Sequence, residues 1–340
     1  MVTIALDAMG GDHAPGEIVA GAVAAAAADS SMNIVLVGDE PAILTELEKY
    51  PGNGRIRVEH APDVVGMDEE PARAVRVKKH SSIVVAARLV GEGQADALVS
   101  AGSTGAQLAA SIFGMGRIRG VKRPAICTVY PTARGFKLLT DAGANPEVKP
   151  EYLVQFARMG SIYARSFLGM ENPTVGLINN GSEDKKGTET VRAAHMLMRE
   201  DSSLNFIGNI EGRDVPAGAA DVMVCDGFVG NIVLKLTEGM ATTLFSMIRE
   251  KITSTPVRKM GAALNRKAFR ELKQSLDYSE YGGAPLLGVR GVSMICHGSS
   301  NARAISSALK AAARAVESGF IGEMEQAFSA GSSGEDQENL

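Results

Sequence analysis

The chain has 340 residues, 45% of them hydrophobic and 22% charged, with a formal net charge of −4; this is enough for one large or two modest globular domains. The mildly acidic balance offers no global attraction for nucleic acid and leaves partner choice to local patches. Met1 leads straight into the strand-like Val2-Thr3-Ile4-Ala5-Leu6 with no signal-peptide pattern, and Ala20 to Ala28 falls short of the about 20 apolar residues that span a bilayer, so a cytoplasmic protein is expected.

Short β-branched runs then alternate with helical stretches. Val2 to Asp7 precedes Pro15 to Ala28, Asn33 to Gly38 precedes Pro41 to Lys49, and Asp96 to Ser100 precedes Thr104 to Phe113. The alternation resumes with Thr174 to Asn179 before Thr188 to Arg199, and with Asp221 to Asp226 before a long helix from about Val229. It closes with Val292 to Cys296 before Ser299 to Glu317. Such alternation predicts an α/β fold with a mostly parallel sheet and crossover helices. Ala95 to Ala106 can be laid over Ala220 to Asn231 without a gap, each reading as strand, G-x-x-G turn and helix.

From Leu236 to Leu276 the pattern is helical, with Pro256 as its clear interruption, so two helices joined there are expected as a protruding hairpin over 236–277. Leu236, Met240, Leu244, Met247 and Ile248 form one apolar stripe; Met260, Leu264, Ala268, Leu272 and Leu276 form another. Each needs a partner surface. Eight Lys or Arg between Arg249 and Lys273, against Glu250 and Glu271, make the clearest basic patch. The expected organisation is a single domain over 1–328 and a disordered tail over 329–340.

Open parallel sheets bind ligands beyond the carboxyl ends of their strands. The polar residues there are Asp7, Gly10, Gly11 and His13; Ser100, Gly102, Ser103, Thr104 and Gly105; Asn180 and Lys186; Asp226 and Asn231; and His297. Glycines with Ser and Thr at a helix start let backbone N–H groups approach an anion, which makes Ser100 to Gly105 a candidate phosphate site. It lacks the G-K-[ST] of a Walker loop, and Gly10, Gly11 and Gly16 do not fit the dinucleotide fingerprint, which disfavours a dehydrogenase. Lys186, a cation where the helix dipole gives it little, suits a phosphate oxygen or a developing oxyanion. The histidines show no metal-ligand spacing. Cys127, Cys225 and Cys296 are expected to be buried thiols, and Cys296 and His297 to face opposite ways on a strand.

Several segments together resemble the phosphate acyltransferases of bacterial phospholipid synthesis. They are Ile4-Ala-Leu-Asp-Ala-Met-Gly-Gly-Asp-His-Ala-Pro15, Ser100-Ala-Gly-Ser-Thr-Gly-Ala106, Asp141-Ala-Gly-Ala-Asn145, Gly176 to Gly187, Asp226-Gly-Phe-Val-Gly-Asn231, Tyr281 to Gly288 and His297-Gly-Ser-Ser-Asn-Ala-Arg303. The resemblance implies a three-layer α/β/α Rossmann-like fold related to isocitrate and isopropylmalate dehydrogenases and to phosphotransacetylase. It also implies a homodimer with no cofactor that moves an acyl group from acyl carrier protein to inorganic phosphate. The family's Gly-x-Glu-x-x-Lys-Gly pattern falls on Lys186, and Ser103 stands where many members carry Asn. On this basis the Asp7 to His13 and Ser100 to Gly105 loops are expected to bind phosphate, Lys186 and Asn231 to stabilise the oxyanion, and Asn180, Asp226 and His297 to contact substrate. The hairpin is expected to meet the partner subunit, the acidic carrier or an anionic membrane surface. A CoA-dependent phosphotransacylase and a non-catalytic organiser of lipid synthesis remain as alternatives.

Overall fold

The computed structural model describes residues 1–50, 54–275 and 282–329, the side chains of 271–275 excepted. In chain order its first half comprises β1 (Val2–Asp7), α1 (Gly16–Ala28), β2 (Met32–Gly38), α2 (Glu40–Leu47), β3 (Ile56–His60), α3 (Pro71–Val77), α4 (Ser82–Gly91), β4 (Ala97–Ser100), α5 (Thr104–Gly114), β5 (Ala125–Thr132), β6 (Gly135–Thr140) and α6 (Pro150–Leu168). The second comprises β7 (Thr174–Asn179), α7 (Glu189–Glu200), β8 (Asn205–Glu211), β9 (Val222–Val224), α8 (Gly227–Ile252), α9 (Pro256–Leu264), α10 (Arg266–Ser275), β10 (Ala284–Leu287), β11 (Val292–Ile295), α11 (Ala302–Glu317) and α12 (Phe320–Ser329).

Helix starts follow from short polar side chains that accept the first free N–H groups. Asp39 accepts from Ala42, Thr188 from Val191, Asp226 from Val229 and Asn301 from Ala304. Helix α6 stops where Gly169 adopts φ +69°, a conformation that glycine enters without a Cβ penalty.

Among the described residues eleven strands form one sheet, ordered β3-β2-β1-β4-β11-β10-β5-β6-β9-β7-β8. Period-two alternation divides its two faces. Ile4, Leu6, Ile34, Leu36, Ala97 and Val99 face α1 and α11 in a core that continues to α6 and α12 over the other half of the sheet, whereas Ala5, Val35, Val37 and Leu98 face α4 in a core shared with α5. The result is the expected helix–sheet–helix sandwich with a mostly parallel sheet.

The sheet reverses at its centre. Strand β10 is antiparallel to both β11 and β5, and β5 and β6 form an antiparallel hairpin. Strands β6, β9, β7 and β8 therefore run opposite to β1, β2, β3, β4 and β11. This polarity decides which strand ends can meet.

Two local expectations change. The second hairpin helix breaks at Asn265 into α9 and α10, and there the Asn265 backbone N–H and side-chain amide both donate to the Gly261 carbonyl, at 3.2 and 3.0 Å. The ungapped match of Ala95 to Ala106 with Ala220 to Asn231 does not extend to the helix starts: α5 is capped by Ser103 and α8 by Asp226, two residues earlier in that register. Leu276 and most of the expected tail lie outside the described residues. No helix among the described residues is long and apolar enough to cross a membrane.

Candidate active site

The expected site residues fall into two groups. The first gathers at the carboxyl ends of the adjacent strands β1, β4 and β11. Asp7 ends β1 and is buried; its Oδ2 accepts the Ser100 hydroxyl at 2.7 Å, and its Oδ1 accepts the Met9 N–H at 3.2 Å. Ser100 Oγ in turn accepts the Gly102 N–H at 3.0 Å. A Cβ on Gly10 would lie 2.5 Å from Asp7 Oδ2 and 2.8 Å from Gly102 N, so glycine is required for the two loops to touch. Gly11 has φ +108°, and the Asp12 N–H donates to the Gly298 carbonyl at 2.8 Å, which adds the β11 loop.

Burial pushes the Asp7 carboxyl above its ordinary range, against hydrogen bonds from Ser82 and Ser100. Asp7 is thus an internal clasp that holds the Gly10–Gly11 loop against Ser100 and Gly102. Ser103 caps α5 through Ala106 N–H, and Thr104 is exposed beside it. Gly105 has a packing cause: a Cβ there would lie 2.6 Å from the Pro71 ring. His13 and His297 are exposed, and His297 Nδ1 lies 2.8 Å from the Ser299 hydroxyl in its own loop. All three cysteines are buried; Cys296 points inward while His297 points out, and burial pushes its thiol up to about 12.

The second group lies at the carboxyl ends of β6, β9 and β7, which the central reversal turns the other way. Its clasp is Asp141, fully buried. Oδ1 accepts the N–H groups of Ile126, Gly143 and Ala144 at 2.9–3.1 Å, and Oδ2 accepts Asn145 N at 2.7 Å and Nδ2 at 2.8 Å. Burial pushes this carboxyl up as well, but these donors oppose it. The loop from 141 to 145 packs directly on the first turn of α8: Cβ atoms on Gly227 or Gly230 would overlap the Asn145 and Asp141 backbone. Asp226 caps that turn at 2.8 Å, and Asn231 stands exposed above Gly143.

Lys186 belongs to this second group and is exposed two residues before the α7 cap. Its loop is held from three elements. Asn179 Nδ2 on β7 donates to the Lys186 carbonyl at 3.0 Å, Arg192 on α7 to the Gly187 carbonyl at 2.6 Å, and Asn209 Nδ2 on β8 to the Glu183 carbonyl at 2.9 Å. Arg199 pairs with Asp184 at 2.7 Å. Asn209 Oδ1 can only accept, so the buried His195 donates to it from Nδ1 at 3.0 Å. The stem of Lys186 folds over Gly181, where a Cβ would come within 2.8 Å of Lys186 Cγ. Asn180, on the same loop, is exposed and donates its N–H to Asn179 Oδ1.

Sequence reasoning missed Asp141, Asn145, His195 and Asn209 as the supports of this group. Asp141 and Asn145 carried a signal in the Asp-Ala-Gly-Ala-Asn motif; His195 and Asn209 carried none, since their partners are distant in sequence. Among the described residues no cluster of three His, Cys, Asp or Glu side chains has the proximity a metal needs.

Comparison with known proteins places this architecture. A family profile described as "Fatty acid synthesis protein" matches residues 2–323. A protein described as "Phosphate acyltransferase" from Desulfitobacterium hafniense (strain Y51) is 58% identical over 327 residues, covering 96% of this chain and 97% of its own. One of the same description from Heliobacterium modesticaldum (strain ATCC 51547 / Ice1) is 55% identical over 325 residues, with coverage of 95% and 96%. In three dimensions a phosphotransacetylase from Streptococcus pyogenes superposes with a TM-score of 0.63 at 15% identity, covering 93% of this chain and 94% of that one, which establishes a shared fold. The chain belongs to the fatty acid synthesis protein family, among the phosphate acyltransferases.

Proposed function

We propose that this protein transfers a fatty acyl group from acyl carrier protein to inorganic phosphate, releasing acyl phosphate and the free carrier thiol. The observation that carries the reading is the Lys186 loop: an exposed cation on a segment whose carbonyls are fixed by β7, α7 and β8. Such fixing supplies charge stabilisation without reorganisation at the moment of reaction.

The chemistry needs neither a covalent nucleophile nor a strong base. Phosphate arrives largely dianionic near neutral pH and attacks the thioester carbonyl, whose electron pair moves onto oxygen. The tetrahedral oxyanion then collapses and the C–S bond breaks, expelling a thiolate whose conjugate thiol has a pKa of about 8.5. In this scheme the Gly10–Gly11 and Ser100–Gly105 loops, ordered by Asp7, hold phosphate, while Lys186 and Asn231 stabilise the oxyanion. Five strand steps separate β4 from β9. A twist of about 20–25° per step brings their opposed carboxyl ends to within roughly 55–80° of one direction, which supports a shared cleft. Asn180, Asp226 and His297 border it as substrate contacts.

The carrier is an acidic protein, and Arg249, Lys251, Arg258, Lys259 and Arg266 stand exposed on α8 to α10, which supports docking there. The exposed stripe Phe228, Ile232, Leu236, Met240 and Leu244 on α8 suits a second copy of the chain. The same cations suit peripheral contact with an anionic membrane from the cytoplasm.

Purified protein given orthophosphate and either long-chain acyl-ACP or acyl-CoA tests the reading. Acyl phosphate formed preferentially from acyl-ACP is expected. Preference for acyl-CoA would make the protein a CoA-dependent phosphotransacylase, and no product from either donor would favour a non-catalytic organiser.

A further inference from the structure

The fold leaves a long, mainly apolar groove that the reacting groups above do not occupy; Glu238 and three of the docking cations, Arg249, Lys259 and Arg266, also line it. It lies between α8, α9, α10 and the Val129–Pro131 segment of β5, with a volume of about 930 Å³, at the upper end of the ~300–1,000 Å³ typical of small-molecule sites. Along α8 its wall is Leu234, Ala241, Phe245, Ile248 and Ile252, spaced so that all share one helix face. The Tyr130 hydroxyl is taken up by Thr237 Oγ1 at 2.7 Å, so that this wall presents the ring rather than a free polar group.

From these features we infer that the groove receives the acyl chain of the thioester donor, an inference that rests on the acyl-transfer reading. Three observations select this occupant. Leu234 is one turn beyond Asn231 on α8, so the groove opens beside a residue assigned to the reacting carbonyl. From Leu234 to Ile252 the wall extends about 27 Å at 1.5 Å per residue, a length suited to a long, slender chain. The exposed stripe on α8, Phe228 through Leu244, occupies the opposite helix face, so a second copy seated there leaves the groove free. Helix α8 is apolar on two sides and needs two coverings; a protein surface fits the convex one and an acyl chain the concave one.

The test compares hexadecanoyl and butanoyl thioesters of acyl carrier protein in the full-length protein and in Ala241→Trp, which projects an indole into the groove. The ratio of kcat/KM for the long donor to that for the short one is expected to fall more than about tenfold, because several methylenes lose their apolar wall. Ala241→Leu should give an intermediate ratio, and the ratio corrects for any fraction of misfolded protein. Saturable binding of cis-parinaric acid, a fluorescent long-chain fatty acid, to the wild type and its weakening in Ala241→Trp read the groove without turnover. If no donor is turned over, the acyl-transfer reading fails and the binding measurement alone decides the groove. An unchanged ratio, absent fatty-acid binding in the wild type, or an altered oligomeric state with the ratio intact would overturn the proposal, the last making the groove a subunit contact.

Discussion

The two strand-end clusters solve the same problem with different numbers of donors. Each centres on a buried aspartate that ties neighbouring loops together. Asp7 accepts the hydroxyls of Ser82 and Ser100 and the backbone N–H groups of Met9 and Gly10, and burial dominates its titration. Asp141 accepts five N–H groups from β5, its own loop and Asn145. The second cluster also carries an exposed lysine on a clamped loop. The first is thus a glycine-built cradle, and the second supplies charge on a rigid base.

Removing the two clasps should separate them most strongly. Asp141→Ala leaves up to five donors without an acceptor, and at about 1–3 kcal/mol for each that water does not reach, a loss above about 3 kcal/mol is expected. Asp7→Ala orphans fewer groups and should cost about 1–3 kcal/mol. Denaturant unfolding of both variants checks the order; equal losses would break the contrast. Lys186→Ala should lower kcat about 10²- to 10³-fold and shift stability by no more than about 0.5 kcal/mol. Wild-type turnover in that variant would remove the charge from the site. His195→Ala loosens the loop through Asn209, and a fall in kcat of roughly tenfold is expected. His195→Gln, which keeps a donor toward Asn209, should recover part of it; a loss of stability with kcat unaltered would leave His195 merely structural.

The smallest expected effect is in pH dependence, and its sign separates two carboxylates. Because burial raises the Asp7 carboxyl, its native form binds more protons than the unfolded chain, so its contribution is present below the unfolded value of 3.8 and lost as pH rises through the native one. Burial also opposes the charge on Asp221, but Lys137 at 2.6 Å and two hydrogen bonds from Thr174 prevail and hold it below the ordinary value. Its contribution is present above 3.8 and lost as pH falls through the native value. Stability against pH for Asp7→Asn and Asp221→Asn should therefore depart from the wild type in opposite directions.

Much of the architecture was legible because strand and helix patterns are local. Thr174 to Asn179 reads as a strand and is one, and Thr104 to Phe113 lies within α5. Strand polarity was not legible: a period-two pattern looks the same in either direction, and the reversal depends on β10 and the β5–β6 hairpin, whose Pro285 and Pro131 weaken the strand signal. The glycine loops were visible as candidates, but the reasons for individual glycines were not. Gly105 answers to Pro71, 34 positions away, and Gly10 to Gly102. The loop clamp was hidden for the same reason, since Asn209 holds Glu183 across 26 positions.

The most direct measurement is phosphorus NMR of orthophosphate incubated with long-chain acyl-ACP and either wild-type protein or Lys186→Ala. A new acyl-phosphate resonance that grows with the wild type and is at least about a hundredfold slower with the variant is the predicted result. A resonance that grows equally with both would contradict the assignment of charge stabilisation to the Lys186 loop, and its absence with the wild type would contradict acyl transfer to phosphate itself.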